Sequence, residues 1–182
     1  MLNLIGNYSL VFALLISLIL TVVSFINFKS NKSLDFNIFG AVVLQFTLIC
    51  VSFFTLIFAF IYSDFSNAAV YNNSHTSKPL FYKISGTWGN HEGSLLLWLL
   101  VLSLFTLIFL LKSKKLLNSF RILTIFFQQI ITVGFIFFII FLSNPFQLIL
   151  PTPNEGLGLN PILQDPALAI HPPILYLGYV GS

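Results

Sequence analysis

Charge is what this sequence has least of. Of 182 residues only 7% are Asp, Glu, Lys or Arg, against 57% that are apolar. A water-soluble domain carries about a quarter charged residues, so a solvent-facing surface could not be covered here. Cysteine is almost absent: Cys50 stands alone, inside an apolar run. That excludes an internal disulfide framework, a CxxC redox motif and a cysteine metal cluster, and leaves Cys50 to pack as a small hydrophobe. Histidine is scarce too, and none of the three lies in a long apolar run. The net charge of +3 comes from basic residues that flank apolar segments. Because they do not gather on one face, they give no reason to expect a nucleic-acid partner.

What is present is hydrophobic length. A bilayer core of about 30 Å needs roughly 20 apolar residues in a helix. Four stretches meet that need, 8–28, 38–62, 94–111 and 122–142, and a fifth begins at 173 and reaches 182 incomplete. None of the four full spans holds Asp, Glu, Lys, Arg or His. The expected fold is therefore all-α, a polytopic transmembrane helical bundle forming a single domain over 1–182, in contact with membrane lipid. The first span is too long for the apolar core of a cleavable signal, and no small-residue cleavage site follows it. The 22 Phe and the bias to Ile, Leu, Asn, Lys and Ser suit an AT-rich genome, organellar or low-GC bacterial.

Six of the eight basic residues, Lys29, Lys32, Lys112, Lys114, Lys115 and Arg121, fall in the loops after the first and third spans. The positive-inside rule places those loops in the cytoplasm or mitochondrial matrix and the N-terminus outside. The outer loops are then 63–93 and 143–172, and they contain His75, His91 and His171. Connections of such length point to function or disorder.

Two constellations in those loops could carry chemistry. Trp88-Gly89-Asn90-His91-Glu92-Gly93-Ser94 runs straight into the third span. Glu92 suits the positive end of that helix, Ser94 or Asn90 can cap it, and Trp88 sits where an interfacial aromatic belongs. Beside that account stands a direct role for His91 at a cofactor or partner surface. The second constellation is Asp165-Pro166-Ala167-Leu168-Ala169-Ile170-His171-Pro172-Pro173. Asp165-Pro166 reads as a helix start, and Pro172 is expected to end that helix at His171. Pro173 would then open the fifth span. His171 would stand on a stiff kink at the outer surface, beside Ile170, Ile174, Tyr176 and Tyr179. An imidazole at an apolar-to-aqueous boundary suits an amphipathic ligand such as haem, and also suits a plain snorkelling histidine. His75, among turn-forming polar residues, reads as solvated. Gln45, Gln128 and Gln129 at membrane depth read as interhelical hydrogen-bond partners.

Three runs carry a resemblance to a known family. Trp88-Gly89-Asn90-His91-Glu92-Gly93-Ser94-Leu95-Leu96-Leu97-Trp98, Leu159-Asn160-Pro161-Ile162-Leu163-Gln164-Asp165-Pro166 and Ala169-Ile170-His171-Pro172-Pro173-Ile174-Leu175-Tyr176-Leu177-Gly178-Tyr179-Val180-Gly181 occur in that order. In these runs the chain resembles the N-terminal part of the CcmF family. Its members form the large subunit of the cytochrome c haem lyase in the multi-protein (System I) maturation pathway.

The resemblance implies cytochrome c assembly. Haem b would be taken, transiently and as substrate, from the CcmE chaperone and attached to the CxxCH cysteines of apocytochrome c. It implies His171 as the external haem ligand through the iron. Trp88, His91, Glu92, Pro172, Pro173 and Tyr176 become partner-facing or haem-proximal residues, and no catalytic residue is assigned. The implied partners are CcmE, a CcmH-type thiol-handling subunit, apocytochrome c and the rest of CcmF. The family's tryptophan-rich WWD segment, its second external histidine and its two intramembrane ligands for a structural haem b would lie beyond Ser182. Those structural ligands are therefore missing from this chain, which on this pattern would not be active alone. The expectation is a fragment or one product of a split gene, in the mitochondrial inner membrane with His171 facing the intermembrane space. The alternative site is a bacterial inner membrane, with His171 on the periplasmic face. Two other readings stay open. One is an ion-translocating or transporter subunit, weakened by the lack of ionisable residues in the spans. The other is an assembly scaffold that docks partners without touching haem.

Overall fold

The structure is a computed structural model, and it describes residues 1–30, 36–158, 160 and 164–181. Lys32, and Leu159, Pro161, Ile162 and Leu163 of the second run, lie outside the described residues. Regular structure among the described residues is helical: α1 (Leu2–Lys29), α2 (Phe36–Ile61), α3 (Ala68–Asn73), α4 (Leu80–Gly86), α5 (His91–Lys112), α6 (Asn118–Leu142) and α7 (Pro166–Gly181). A 3-10 turn over Ser113–Lys115 links α5 to α6. Four of these helices, α1, α2, α5 and α6, are long and apolar enough to cross a membrane.

Those four pack side by side as a bundle in which α1 touches α2 and α6, and α5 closes the ring against the same two. The core is aliphatic and aromatic: Leu10, Ile49, Leu56, Phe60, Leu96, Leu99, Ile136 and Ile139 are fully buried together. A smaller cluster of Leu20, Ile38, Val42, Leu110 and Ile125 fills the end of the bundle nearer the lysines. The outer faces carry Phe12, Phe54, Phe58, Phe127, Phe137 and Phe141, all exposed. In water that surface would aggregate; in hydrocarbon it is the expected one, because lipid is as apolar as these rings.

Polar residues inside the bundle are bonded to one another. Gln45 and Gln129 exchange amide hydrogen bonds at 2.9 and 3.1 Å, and Gln45 also donates to Ser17 Oγ, which itself donates to Ala13 O. One network thus joins α1, α2 and α6 at a depth where an unpaired amide would be costly. The expected interhelical role holds for Gln45 and Gln129. It fails for Gln128, whose buried Oε1 has no partner among the described residues.

At the other end of the bundle the connections form a folded cap rather than open loops. Asn67 Nδ2 donates to Asn3 Oδ1 at 2.6 Å and to Pro145 O at 2.8 Å, and Asn144 Nδ2 donates to Asn7 Oδ1 at 3.3 Å. The start of α1 therefore shares one end of the molecule with both long connections. An isolated antiparallel bridge between Asn67 and Leu148 pairs those connections. The segment after it is stitched to α3: Leu157 N donates to Tyr71 O at 2.8 Å and Gly158 N to Ser74 O at 3.0 Å. At Gly156 a Cβ would stand 2.2 Å from Ser74 O, so that position must be glycine. His75, expected to be merely solvated, lies 3.8 Å from Glu155 across the same seam.

Candidate functional site

The site grows from the start of α5. Asn90 caps the helix: its Oδ1 accepts from Gly93 N at 2.8 Å while its Nδ2 donates back to Gly86 O at 2.7 Å. One side chain thereby welds the end of α4 to the first turn of α5. The cap also starts the helix at His91, three residues ahead of the apolar run that begins the expected span. His91 and Glu92 are thus helical, not loop, residues. The weld is tight enough to dictate Gly93, where a Cβ would come within 1.6 Å of Thr87 O. Of the two capping candidates, Asn90 takes the role. Ser94 instead bonds the phenol of Tyr176.

The second element, α7, departs from expectation in an instructive way. Asp165 caps it as foreseen, its Oδ1 accepting from Ala167 N at 2.8 Å and Leu168 N at 3.0 Å. Pro172, however, does not end the helix at His171, and no separate helix begins at Pro173. The helix runs unbroken from Pro166 to Gly181 with both prolines inside it. A proline supplies no N–H to the carbonyl four residues before it, so Pro173 orphans Ala169 O. Trp88 fills that gap by donating its indole N–H to Ala169 O at 2.7 Å. A donor from a neighbouring segment re-satisfies the freed carbonyl, the way helices tolerate an internal proline. Trp88 is therefore a specific clamp on α7 rather than only an interfacial aromatic. The lower half of the same face is held by Tyr176, whose ring stacks on Trp98 at 5.6 Å and 11°. Trp98 in turn meets Phe135 edge-on at 5.0 Å.

Docking one face of α7 leaves the other outward. His171, Ile174, Leu175, Gly178 and Tyr179, spaced as one helical stripe, line an open groove of about 400 Å³. His171 is exposed at the end of that stripe nearer the start of α7. Eight residues of rise make the stripe about 12 Å long.

His91 belongs to a different space. Its Nδ1 lies 2.9 Å from Ser143 Oγ, at the end of α6. It lines a cavity of about 280 Å³ together with Ser85, Trp88, Asn90, Ser94 and Pro172. Pro172 borders this cavity while His171 borders the groove, so α7 stands between the two imidazoles. Of the residues foreseen, Trp88, His91, Pro172, Ser94 and Asn90 are brought together, and His171 is not among them. Glu92 lies in the first turn of α5 but does not line the cavity. Ser85, Ser143 and Ala169 were missed, and as a serine pair and a backbone carbonyl they carry no signal in sequence. Among the described residues no three His, Cys, Asp or Glu side chains converge as a metal site. The chain thus offers an iron single imidazoles rather than a ligand set. For haem the groove fits that chemistry: an imidazole beside an apolar floor and an aromatic edge.

Comparison with known proteins gives this geometry its setting. The family model described as Cytochrome C assembly protein matches residues 88–182, more than half of the chain and including Trp88, His91 and His171. The cytochrome c-type biogenesis protein CycK of Rhizobium meliloti is 46% identical over 177 residues, 97% of this chain but 26% of the relative. The cytochrome c-type biogenesis protein CcmF of Escherichia coli is 44% identical over 139 residues, covering 76% of this chain and 22% of the relative. A solved structure, that of the cytochrome c haem lyase CcmF, superposes with a TM-score of 0.78 at 28% identity, over 100% of this chain and 28% of its own. This chain spans about a quarter of the length of these relatives. Its apolar spanning helices and its likeness to them show a membrane protein that belongs to the cytochrome c assembly family and is of the CcmF type.

Proposed function

We propose that this chain is the haem-presenting N-terminal part of a cytochrome c haem lyase, with His171 as the ligand it offers to haem iron. The observation that supports the reading most is the position of His171. It is exposed at one end of an apolar stripe whose opposite face is clamped to the bundle by Trp88 and Tyr176. A ring system laid along Ile174, Leu175 and Gly178 gains apolar contact, while its polar edge stays at the outer surface. Bound haem supplies vinyl groups, and thioether formation adds a cysteine S–H across each, the sulfur bonding one carbon and the proton going to the other. The protein's part in that addition is orientation, since close placement of reactants replaces a bimolecular encounter.

On this reading the haem arrives from a CcmE-type chaperone and leaves on the CxxCH cysteines of apocytochrome c, with a CcmH-type subunit handling the thiols. The second ligand, the WWD platform and the structural haem b come from the remaining three quarters of the family's length. The face carrying His171 is the one opposite Lys29, Lys112, Lys114, Lys115 and Arg121, which is the periplasmic face of a bacterial inner membrane. The bacterial origin of the relatives supports that compartment over the intermembrane space. The test is His171→Ala in cells that depend on this protein. Holocytochrome c is expected to fall at least tenfold, with loss of a haem absorption band from the purified complex. An unchanged band with lost chaperone co-purification would instead establish the docking scaffold.

A further inference from the structure

We infer that the cavity lined by His91 is a binding subsite for an oxyanion carried on an amphipathic molecule, a carboxylate or a phosphate group. Four features converge there. The cavity, about 280 Å³ against about 400 Å³ for the groove at His171, is bordered by the polar side chains of Ser85, Asn90, His91 and Ser94 beside Trp88, Leu168 and Pro172. Ser85 is 3% exposed, and its buried hydroxyl has no hydrogen-bond partner among the described residues. A buried hydroxyl left unpaired in this way costs stability, and an acceptor entering the cavity would recover that cost. His91 has Nδ1 committed to Ser143 Oγ, which leaves Nε2 as the nitrogen open to a ligand. In the tautomer in which the Ser143 hydroxyl donates to Nδ1, Nε2 carries the ring proton and is a donor.

The backbone completes the set. Asn90 takes the N–H of Gly93, but His91 and Glu92 occupy the first two positions of a 22-residue helix, where N–H groups have no intrahelical acceptor. The helix dipole favours a negative group at that end. Among the described residues no Lys or Arg lines the cavity, and Lys83 on α4 is engaged with Ser63 Oγ at 2.8 Å. Recognition is therefore by neutral donors in a small space, which selects an acceptor-rich headgroup over a cation or an apolar tail. The cavity sits at the outer end of α5 and shares α7 with the groove, Pro172 on one side and His171 on the other. A propionate of a porphyrin or the phosphate of an anionic lipid would each bring the required oxygens.

Metal-free porphyrin separates this inference from the role proposed for His171, because it has no iron to ligate. The full chain in phosphatidylcholine nanodiscs is titrated with protoporphyrin IX and with its dimethyl ester, followed by porphyrin fluorescence. Native mass spectrometry then measures retention of phosphatidylglycerol against phosphatidylcholine. A propionate site binds the free acid about tenfold more tightly than the ester, the scale of a charge-assisted hydrogen bond. That preference collapses in His91→Phe, shrinks in Ser85→Ala and persists in His171→Ala. A headgroup site shows no acid preference but retains phosphatidylglycerol selectively, and loses that selectivity in the same two variants. Ser85→Ala changes one hydroxyl only, so it remains decisive if His91→Phe fails to fold. Absence of both preferences in the unaltered chain, or their survival in both variants, overturns the inference.

Discussion

The two histidines of the matched region are held in different ways. His91 starts a 22-residue helix, is tied to Ser143 at the end of α6 and borders a cavity that α4 and α7 also line. His171 projects from a 16-residue helix that touches the bundle along one face only, and its groove is open and apolar. A fixed imidazole among donors is suited to recognising a group of set shape. An imidazole at the end of an apolar stripe is suited to a large flat ligand that must arrive and leave. The difference teaches that the first site is built by the junction of α4 and α5, and the second by how α7 docks against it. Breaking each support in turn should therefore damage the two sites unequally.

The largest effect is expected at the junction. Gly93→Ala would put a methyl within 1.6 Å of Thr87 O, and that neighbour is backbone, which cannot turn aside. The cost is about 3 kcal/mol, the upper end for inserting atoms into a packed interior. Thermal unfolding of the chain in detergent should show a lowered midpoint or a loss of folded yield. Both histidines suffer, because α7 docks on what the junction presents. A variant that unfolds like the parent would show that the weld between α4 and α5 is looser than its geometry.

Trp88→Phe should separate the two regions. The ring is kept, but the N–H that answers Ala169 O is gone, leaving a carbonyl orphaned by Pro173. An unpaired buried acceptor costs about 1–3 kcal/mol. Hydrogen–deuterium exchange should rise across α7 while α1, α2 and α6 keep their protection. Unchanged exchange in α7 would mean that its two prolines are tolerated for another reason. Such a result would remove the link between Trp88 and the placing of His171.

The bundle was legible in sequence because hydrophobic length and the sidedness of charge are properties of whole segments. A four-helix count survives any error in where a helix starts. The site was legible only in part. Asp165 and Asn90 were visible as caps because capping depends on residue type at a local offset. The fate of Pro172 and Pro173 was not, since the rule that proline ends a helix is local, while its exception is a tryptophan 81 residues away. The pairing of His91 with Ser143, 52 residues on, was hidden for the same reason. Serines at helix ends are ordinary, and only the packing of α5 against α6 gives this one a role. Sequence was silent on how the loops pack. Two connections of some 30 residues were expected to be functional or disordered. Asn67, Glu155 and Gly156 fold their described residues on each other through contacts no periodicity announces.

The smallest expected effect lies in that cap, and it sharpens the comparison from the side of His91. Glu155 accepts from Thr76 Oγ1 at 2.5 Å and from Thr76 N and Gly156 N at 3.0 Å, with His75 alongside. The hydrogen bond from the Thr76 hydroxyl is the main reason its carboxyl is held down at about 2, against an ordinary 4.5. The sign follows from linkage. A carboxyl whose pKa is lower folded than unfolded stabilises the fold fully above about 4.5, and loses that contribution as pH falls toward about 2. Glu155→Gln should remove the pH dependence, leaving the seam between residues 74–78 and 155–158 as mobile at neutral pH as acid makes it in the parent. Because the group is exposed, water screens it and the change is local. Exchange should rise at Thr76 and Gly156, and stay unchanged in α7. If α7 responded as well, the cap would reach His171, and the division between a site fixed by the fold and a site offered by one helix would have to be redrawn.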